Sequence, residues 1–145
     1  MKNYFPDIYY FTLLVLIVLG WIITYYFYQV YRNQIPRKVW WIPPMVQMGS
    51  VRCVSIVETN YGTTLGRPNA FWGLWYYGFL FLLVLTNRFF LRPPIIYLGI
   101  ISALALGFSF YLSWGLIQLR VRCHPCLSIH SINLLIFLIV CRLLW

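Results

Sequence analysis

At 145 residues, with 62% hydrophobic, 21% aromatic and only 9% charged residues, the chain excludes a soluble domain of ordinary make-up. Its formal net charge of +9 at pH 7 comes from basic residues scattered through an apolar sequence, which argues against nucleic-acid binding. The solvent that suits this composition is a lipid bilayer.

Four apolar stretches approach the length a helix needs to cross a bilayer. They run from Ile8 to about Val30, Asn69 to about Thr86, Pro94 to Gln118, and about Cys123 to Trp145. The expected fold is an all-α membrane protein, a four-transmembrane-helix bundle, with residues 1–145 forming one integral membrane domain. The first stretch is mostly apolar and aromatic over roughly 20 residues and no small-residue cleavage site follows it, so it reads as a retained helix rather than a removed signal. Tyr25, Tyr26 and Tyr28 near its end, and Trp40 and Trp41 beyond it, suit the membrane interface, where an aromatic ring buries a face and keeps a polar tip wet.

The one long connection, residues 31–68, lies between the first and second spans and is expected to be partly ordered. The other two, around Asn87 to Pro93 and Leu119 to Arg122, are short, so any elaborated site belongs to the long loop. Its "VWWIPPMV" run is apolar but interrupted by Pro43 and Pro44. That pattern predicts a segment lying on the membrane or folding back over the bundle. "YGTTLGRP" then supplies turn residues, with Pro68 suited to the first turn of the second helix.

An even number of spans places both termini on one side and the long loop with the third connection on the other, so Cys53 and Cys123 share a face. Cys141 falls at the far end of the fourth span and reads as a small hydrophobe. The fourth span opens with "RVRCHPCLSIH", in which Cys123, Cys126, His130 and Asn133 recur at i, i+3, i+7 and i+10. This is one face of an α-helix, and polar groups at membrane depth normally turn inward to pair with each other or with a ligand. Interhelical hydrogen bonding by His130 and Asn133 is the plainer function of that stripe. Pro125 suits a helix start and puts Cys123 near the cap and Cys126 in the first turn. There the backbone N–H groups, Arg120, Arg122 and His124 gather positive charge around the pair, the setting of reactive cysteines.

C-x-x-C is also a metal spacing, but zinc needs two further ligands. Cys53, His124 and His130 are the candidates. Against them, His130 lies about two turns from Cys123, and Cys53 lacks a matching second C-x-x-C. No metal is therefore expected, while a non-catalytic metal-binding or transport-accessory membrane protein using Cys123, His124 and Cys126 stays the competing class. A structural subunit of a larger complex would explain the composition but not the polar stripe.

A lone loop cysteine followed by "SIVETNYGTTLGRPNAFWGLWYY", an Asn-x-x-x-Gly at the start of the second span, and C-x-x-C opening the fourth resemble the vitamin K epoxide reductases and their prokaryotic quinone-linked relatives. The resemblance covers most of the chain. It implies a membrane thiol-disulfide oxidoreductase that makes disulfides in a thioredoxin-like partner and passes electrons to a membrane quinone of the ubiquinone or menaquinone type. It assigns Cys126 as the residue facing the quinone and Cys123 as a relay exchanging a disulfide with Cys53. Asn69 matches the asparagine that hydrogen-bonds one quinone oxygen. His130 stands where vertebrate members carry a tyrosine serving the other oxygen, and imidazole can also donate. Thr59 replaces the usual serine and keeps the hydroxyl. Phe71, Trp72 and Trp75 are expected to wall the ring's pocket.

The chain departs from the family in having one loop cysteine where two are usual. Met45, Gln47 and Ser50 occupy the region where the other would stand. Either a partner thiol attacks the Cys53–Cys123 bridge directly, or a cysteine, for example at Ser50, has been substituted. The basic residues Arg32, Arg37, Lys38, Arg52, Arg67, Arg120 and Arg122 fall on the cysteine-bearing face, against Lys2, Arg88, Arg92 and Arg142 on the other. The positive-inside bias therefore predicts that the cysteines face the cytoplasm.

Overall fold

The computed structural model describes residues 7–89 and 95–145, with the backbone alone at 88 and 89. Long helices form where the apolar stretches predict them: α1 (Asp7–Tyr31), α3 (Asn69–Phe89), α4 (Ile96–Gln118) and α5 (His124–Leu144). Pro94, the expected start of the third span, and most of the connection before it lie outside the described residues. Each span's most apolar window has a mean hydropathy of 1.3 to 2.1, yet only 17–28% of it is buried inside the bundle. The remaining apolar surface points outward, which is the arrangement lipid requires.

Within that solvent the spans leave few hydroxyls unpaired. Thr12 and Thr24 donate to the carbonyls of Ile8 and Gly20 four residues back, each at 2.7 Å. The seam between α1 and α3 closes at Gly20, where any Cβ would collide with the ring of Tyr77. Small residues permit such approaches where no hydrophobic effect drives helices together. α1 packs against both α3 and α5, and α4 packs against α5. Leu13, Ile17, Leu80, Ile136 and Val140 fill the middle.

Two helices end toward the loops in the same way. The backbone turns left-handed at Asn33 (φ 57°) after α1 and at Arg120 (φ 52°) after α4. Paired bonds Asn33 N to Val30 O and Gln34 N to Gln29 O, and Arg120 N to Ile117 O and Val121 N to Leu116 O, complete two Schellman caps.

The long loop holds a short helix α2 (Val51–Ser55), a 3₁₀ turn (Ile56–Glu58) and a two-residue antiparallel pair, β1 (Thr63–Thr64) with β2 (Arg67–Pro68). Leu65 and Gly66 both carry positive φ, as a tight hairpin turn demands. Pro68 thus belongs to this hairpin and not to the helical turn expected of it, because it pairs with Thr63 and leaves Asn69 as the first residue of α3.

The "VWWIPPMV" segment folds back over the bundle. Ile42 and Met48 are buried while Trp40 and Met45 stand exposed. Tyr26, expected at the interface, is instead 0% exposed. Its hydroxyl donates to Arg37 O and accepts from Met48 N at 3.0 Å, because the returning loop covers that end of α1. The Gln47 side chain braces the same fold through bonds to Val39 O and Ile42 O at 2.6 and 2.7 Å.

Candidate active site

Cys53 is the third residue of α2, and Cys123 is the N-cap of α5. Pro125 lies in the first turn of α5, so Cys126 follows on the same turn as the sequence spacing requires. Cys53 and Cys123 form a disulfide with a Cα separation of 5.0 Å. Both are 0% exposed, sealed by Tyr26, Phe27, Ile42, Met48 and Leu116. Cys126 is a free, half-buried thiol whose Sγ lies 2.8 Å from Cys123 Sγ. Cys141 is also free, but it lies about 22 Å further along the helix at 1.5 Å per residue. His124 points into the open.

Below this sulfur group is a cavity of about 100 Å³. Asn69, Cys126 and His130 contribute polar atoms to it, and Phe27, Ile56, Val57, Leu112, Leu116 and Ile129 wall it with carbon. A second cleft of about 300 Å³ between α3 and α4 shares Asn69, Gly73, Leu112, Ile129 and His130 with the first.

Asn69 is fixed by its surroundings. Its Nδ2 donates to Tyr61 O at 2.6 Å, its Oδ1 accepts from Thr64 Oγ1 at 2.7 Å, and its backbone N–H donates to Gly62 O at 2.9 Å. An amide nitrogen carries two hydrogens, so Asn69 keeps one donor for a ligand while the hairpin sets its orientation. His130 Nδ1 is buried with no hydrogen-bond partner among the described residues. Four residues separate it from Cys126, so thiol and imidazole occupy one helix face a turn apart.

Asn133, next on the stripe, behaves differently. It accepts from Tyr77 Oη at 2.8 Å and donates to Ser109 Oγ at 2.8 Å, tying α3, α4 and α5 together.

Four expected residues sit away from the cavity next to Cys126. Thr59 closes the 3₁₀ turn by donating to Ile56 O at 2.6 Å and does not line it. Phe71 packs among Trp72, Trp75 and Tyr28, with the Arg67 guanidinium 5.1 Å from its centroid. Trp72 lines only the second cleft and donates to Thr64 O at 2.8 Å, while Trp75 is exposed. The helical repeat explains this: Asn69, Ala70 and Gly73 turn to the cavity, leaving 71, 72 and 75 on other faces. Tyr61 is a wall residue the sequence did not disclose. Its ring lies against Gly115 of α4, where a Cβ would collide with it.

Four spans, a buried disulfide beside a free thiol, and an apolar cavity with a few polar atoms define a membrane thiol-redox protein. The vitamin K epoxide reductase family model matches residues 11–141, and the chain belongs to that family. It is accordingly a multi-pass membrane oxidoreductase. Comparison with curated proteins finds no match.

Proposed function

We propose that the protein oxidises the dithiol of a thioredoxin-like partner and delivers the two electrons to a membrane quinone through Cys53, Cys123 and Cys126. The observation that carries this reading is the Cys53–Cys123 bridge with the Cys126 thiol 2.8 Å from it, opening on an apolar cavity. Three sulfurs in contact can pass a disulfide along by thiolate attack.

A partner thiolate attacks Cys53 Sγ, forming a mixed disulfide and releasing the Cys123 thiolate. The partner's second thiol then displaces Cys53, so that the partner leaves as a disulfide and the protein holds two more thiols. Cys123 and Cys126 give up two electrons and two protons to close their own bridge. Attack by Cys53 on Cys123 restores the observed pairing and frees Cys126.

The cavity fits a quinone ring in its carbon walls, in the remaining Asn69 N–H and in the orphaned His130 Nδ1. A quinone bound there supplies a two-electron, two-proton acceptor. Asn69 and His130 would hold its two oxygens, and Trp72 would flank the second cleft. Phe71 and Thr59 would act only through the parts of α3 and the 3₁₀ turn they steady.

With one loop cysteine, the partner must reach a bridge that is wholly buried, so the segment over Ile42 and Met48 must lift during exchange. The exposed Arg32, Arg37, Lys38, Arg52, Arg67, Arg120 and Arg122 support a cytoplasmic location for this face.

Anaerobic loss of oxidised-quinone absorbance with a small dithiol as electron source tests the reading. Turnover that depends on Cys126 is expected. A well-folded protein that reduces no quinone would refute it.

A further inference from the structure

The relay passes disulfides between pairs of sulfurs and makes no use of all three thiols at once. Yet the Sγ atoms of Cys53, Cys123 and Cys126 all lie within 4.8 Å of one another. In the bridged state two of them are bonded together. Once two electrons and two protons open that bond, three thiols face one another behind Tyr26, Ile42 and Met48.

The geometry points to a metal site in the fully reduced protein, a three-thiolate centre for a soft d¹⁰ ion, best matched by Cu(I). Thiolate and thioether ligands select such ions over hard ones, and the thioether of Met48 belongs to the same buried cluster. Zinc takes four ligands, but His124, the nearest imidazole in sequence, is exposed and outside the sulfur group. Cu(I) is content with three.

Metal–sulfur bonds of about 2.3 Å place three sulfurs around a trigonal ion about 4 Å apart. That spacing lies inside the 4.8 Å limit; it requires the 2.8 Å Cys126–Cys123 approach to widen by about 1 Å and the Cys53 and Cys123 sulfurs, once their bridge is cut, to part to the same spacing. Three thiolates on a monovalent ion leave two negative charges. The N-terminal N–H groups of α5 and the basic residues Arg52 and Arg122, beside Cys53 and Cys123 in the chain, are placed to offset them. Binding displaces one proton from each thiol and moves no electrons. It also ties up every sulfur of the relay, so Cu(I) should arrest turnover in the reduced state.

The inference rests on the proposed redox role only in needing a reducible bridge. The test uses full-length protein in detergent, reduced without oxygen by a water-soluble phosphine, which becomes its oxide with oxygen from water. After the phosphine is removed, Cu(I) is titrated against a chromophoric chelator.

One Cu(I) per chain, with three sulfur neighbours by X-ray absorption, is expected for reduced protein, and none for bridged protein. Cys53→Ser and Cys126→Ser should each weaken binding by more than the roughly 100-fold that marks the upper end for losing a residue that only supports a ligand. Cys141→Ser and His124→Ala should bind as the unmodified chain does. Full affinity in a folded Cys53→Ser protein, two sulfur neighbours in the unmodified one, or no uptake after thiol counting shows full reduction would overturn the site. Because no quinone enters the assay, copper binding without quinone reduction would sink the redox reading alone, and the converse would sink this one.

Discussion

The polar stripe of α5 contains two regions one helical turn apart that resemble each other in sequence and differ in state. At Asn133 both ends of the amide are engaged, with Tyr77 and Ser109 from neighbouring helices completing a buried network along one wall of the second cleft. At Cys126 and His130 the groups face a cavity, one as a free thiol and the other with an orphaned Nδ1. A satisfied polar group in a membrane holds helices together, whereas an unsatisfied one beside empty apolar space calls for a partner, which the proposed quinone would supply. The spacing that brings both inward is the same, and only the partners supplied by α3 and α4 separate them.

Substitutions should split along that line. The largest effect is expected from Cys126→Ser, which removes the only free thiol beside the bridge and should drop quinone reduction to background with the fold unchanged by circular dichroism. Residual turnover would mean that electrons leave by another sulfur. Cys53→Ser should stop oxidation of a protein dithiol while sparing quinone reduction by a small one; equal loss of both activities would contradict the relay order.

His130→Ala should cost about tenfold in kcat/KM for quinone, the equivalent of one hydrogen bond of about 1.4 kcal/mol. It should leave thermal stability close to that of the unmodified protein, since the imidazole nitrogen holds no partner in the fold. Asn133→Ala should do the reverse. It should lower stability by about 0.6 to 1.7 kcal/mol, the range for interhelical hydrogen bonds in membranes, with kcat per folded molecule retained. If these two variants behaved alike, the division of the stripe would be wrong. The smallest effect belongs to Arg120→Gly, which relieves a left-handed non-glycine residue and should stabilise by about 1 kcal/mol in a thermal melt.

Much of this was legible in the sequence because membranes constrain it. Lipid requires about 20 apolar residues per helix, so the four spans were readable to within a few residues. The i, i+3, i+7, i+10 repeat put the stripe inward, and Pro125 set the start of α5. The resemblance to the family supplied the Cys53–Cys123 pairing, which no spacing alone dictates.

The loop was harder because its order depends on distant contacts. Nothing in "TYYFYQ" marks Tyr26 as the tyrosine whose hydroxyl turns inward to bind both Arg37 O and Met48 N. Pro68 reads as a helix start until Leu65 and Gly66 close a hairpin that uses it. Aromatic residues near an assigned asparagine suggest pocket walls, but the 3.6-residue repeat of α3 turns Ala70 and Gly73 to the cavity beside Cys126 and leaves Trp72 on the second cleft only and Phe71 on neither. Tyr61 enters only because Gly115, 54 residues later in the chain, leaves room for its ring.

The most direct test of the relay is a single turnover. Fully reduced protein is mixed without oxygen with one equivalent of a short-tailed quinone, and its thiols are then blocked and its disulfides mapped by mass spectrometry. One quinol formed per chain, with Cys53 joined to Cys123 and Cys126 and Cys141 alkylated, is the predicted result. An unchanged quinone, or a disulfide that includes Cys141, would contradict the account.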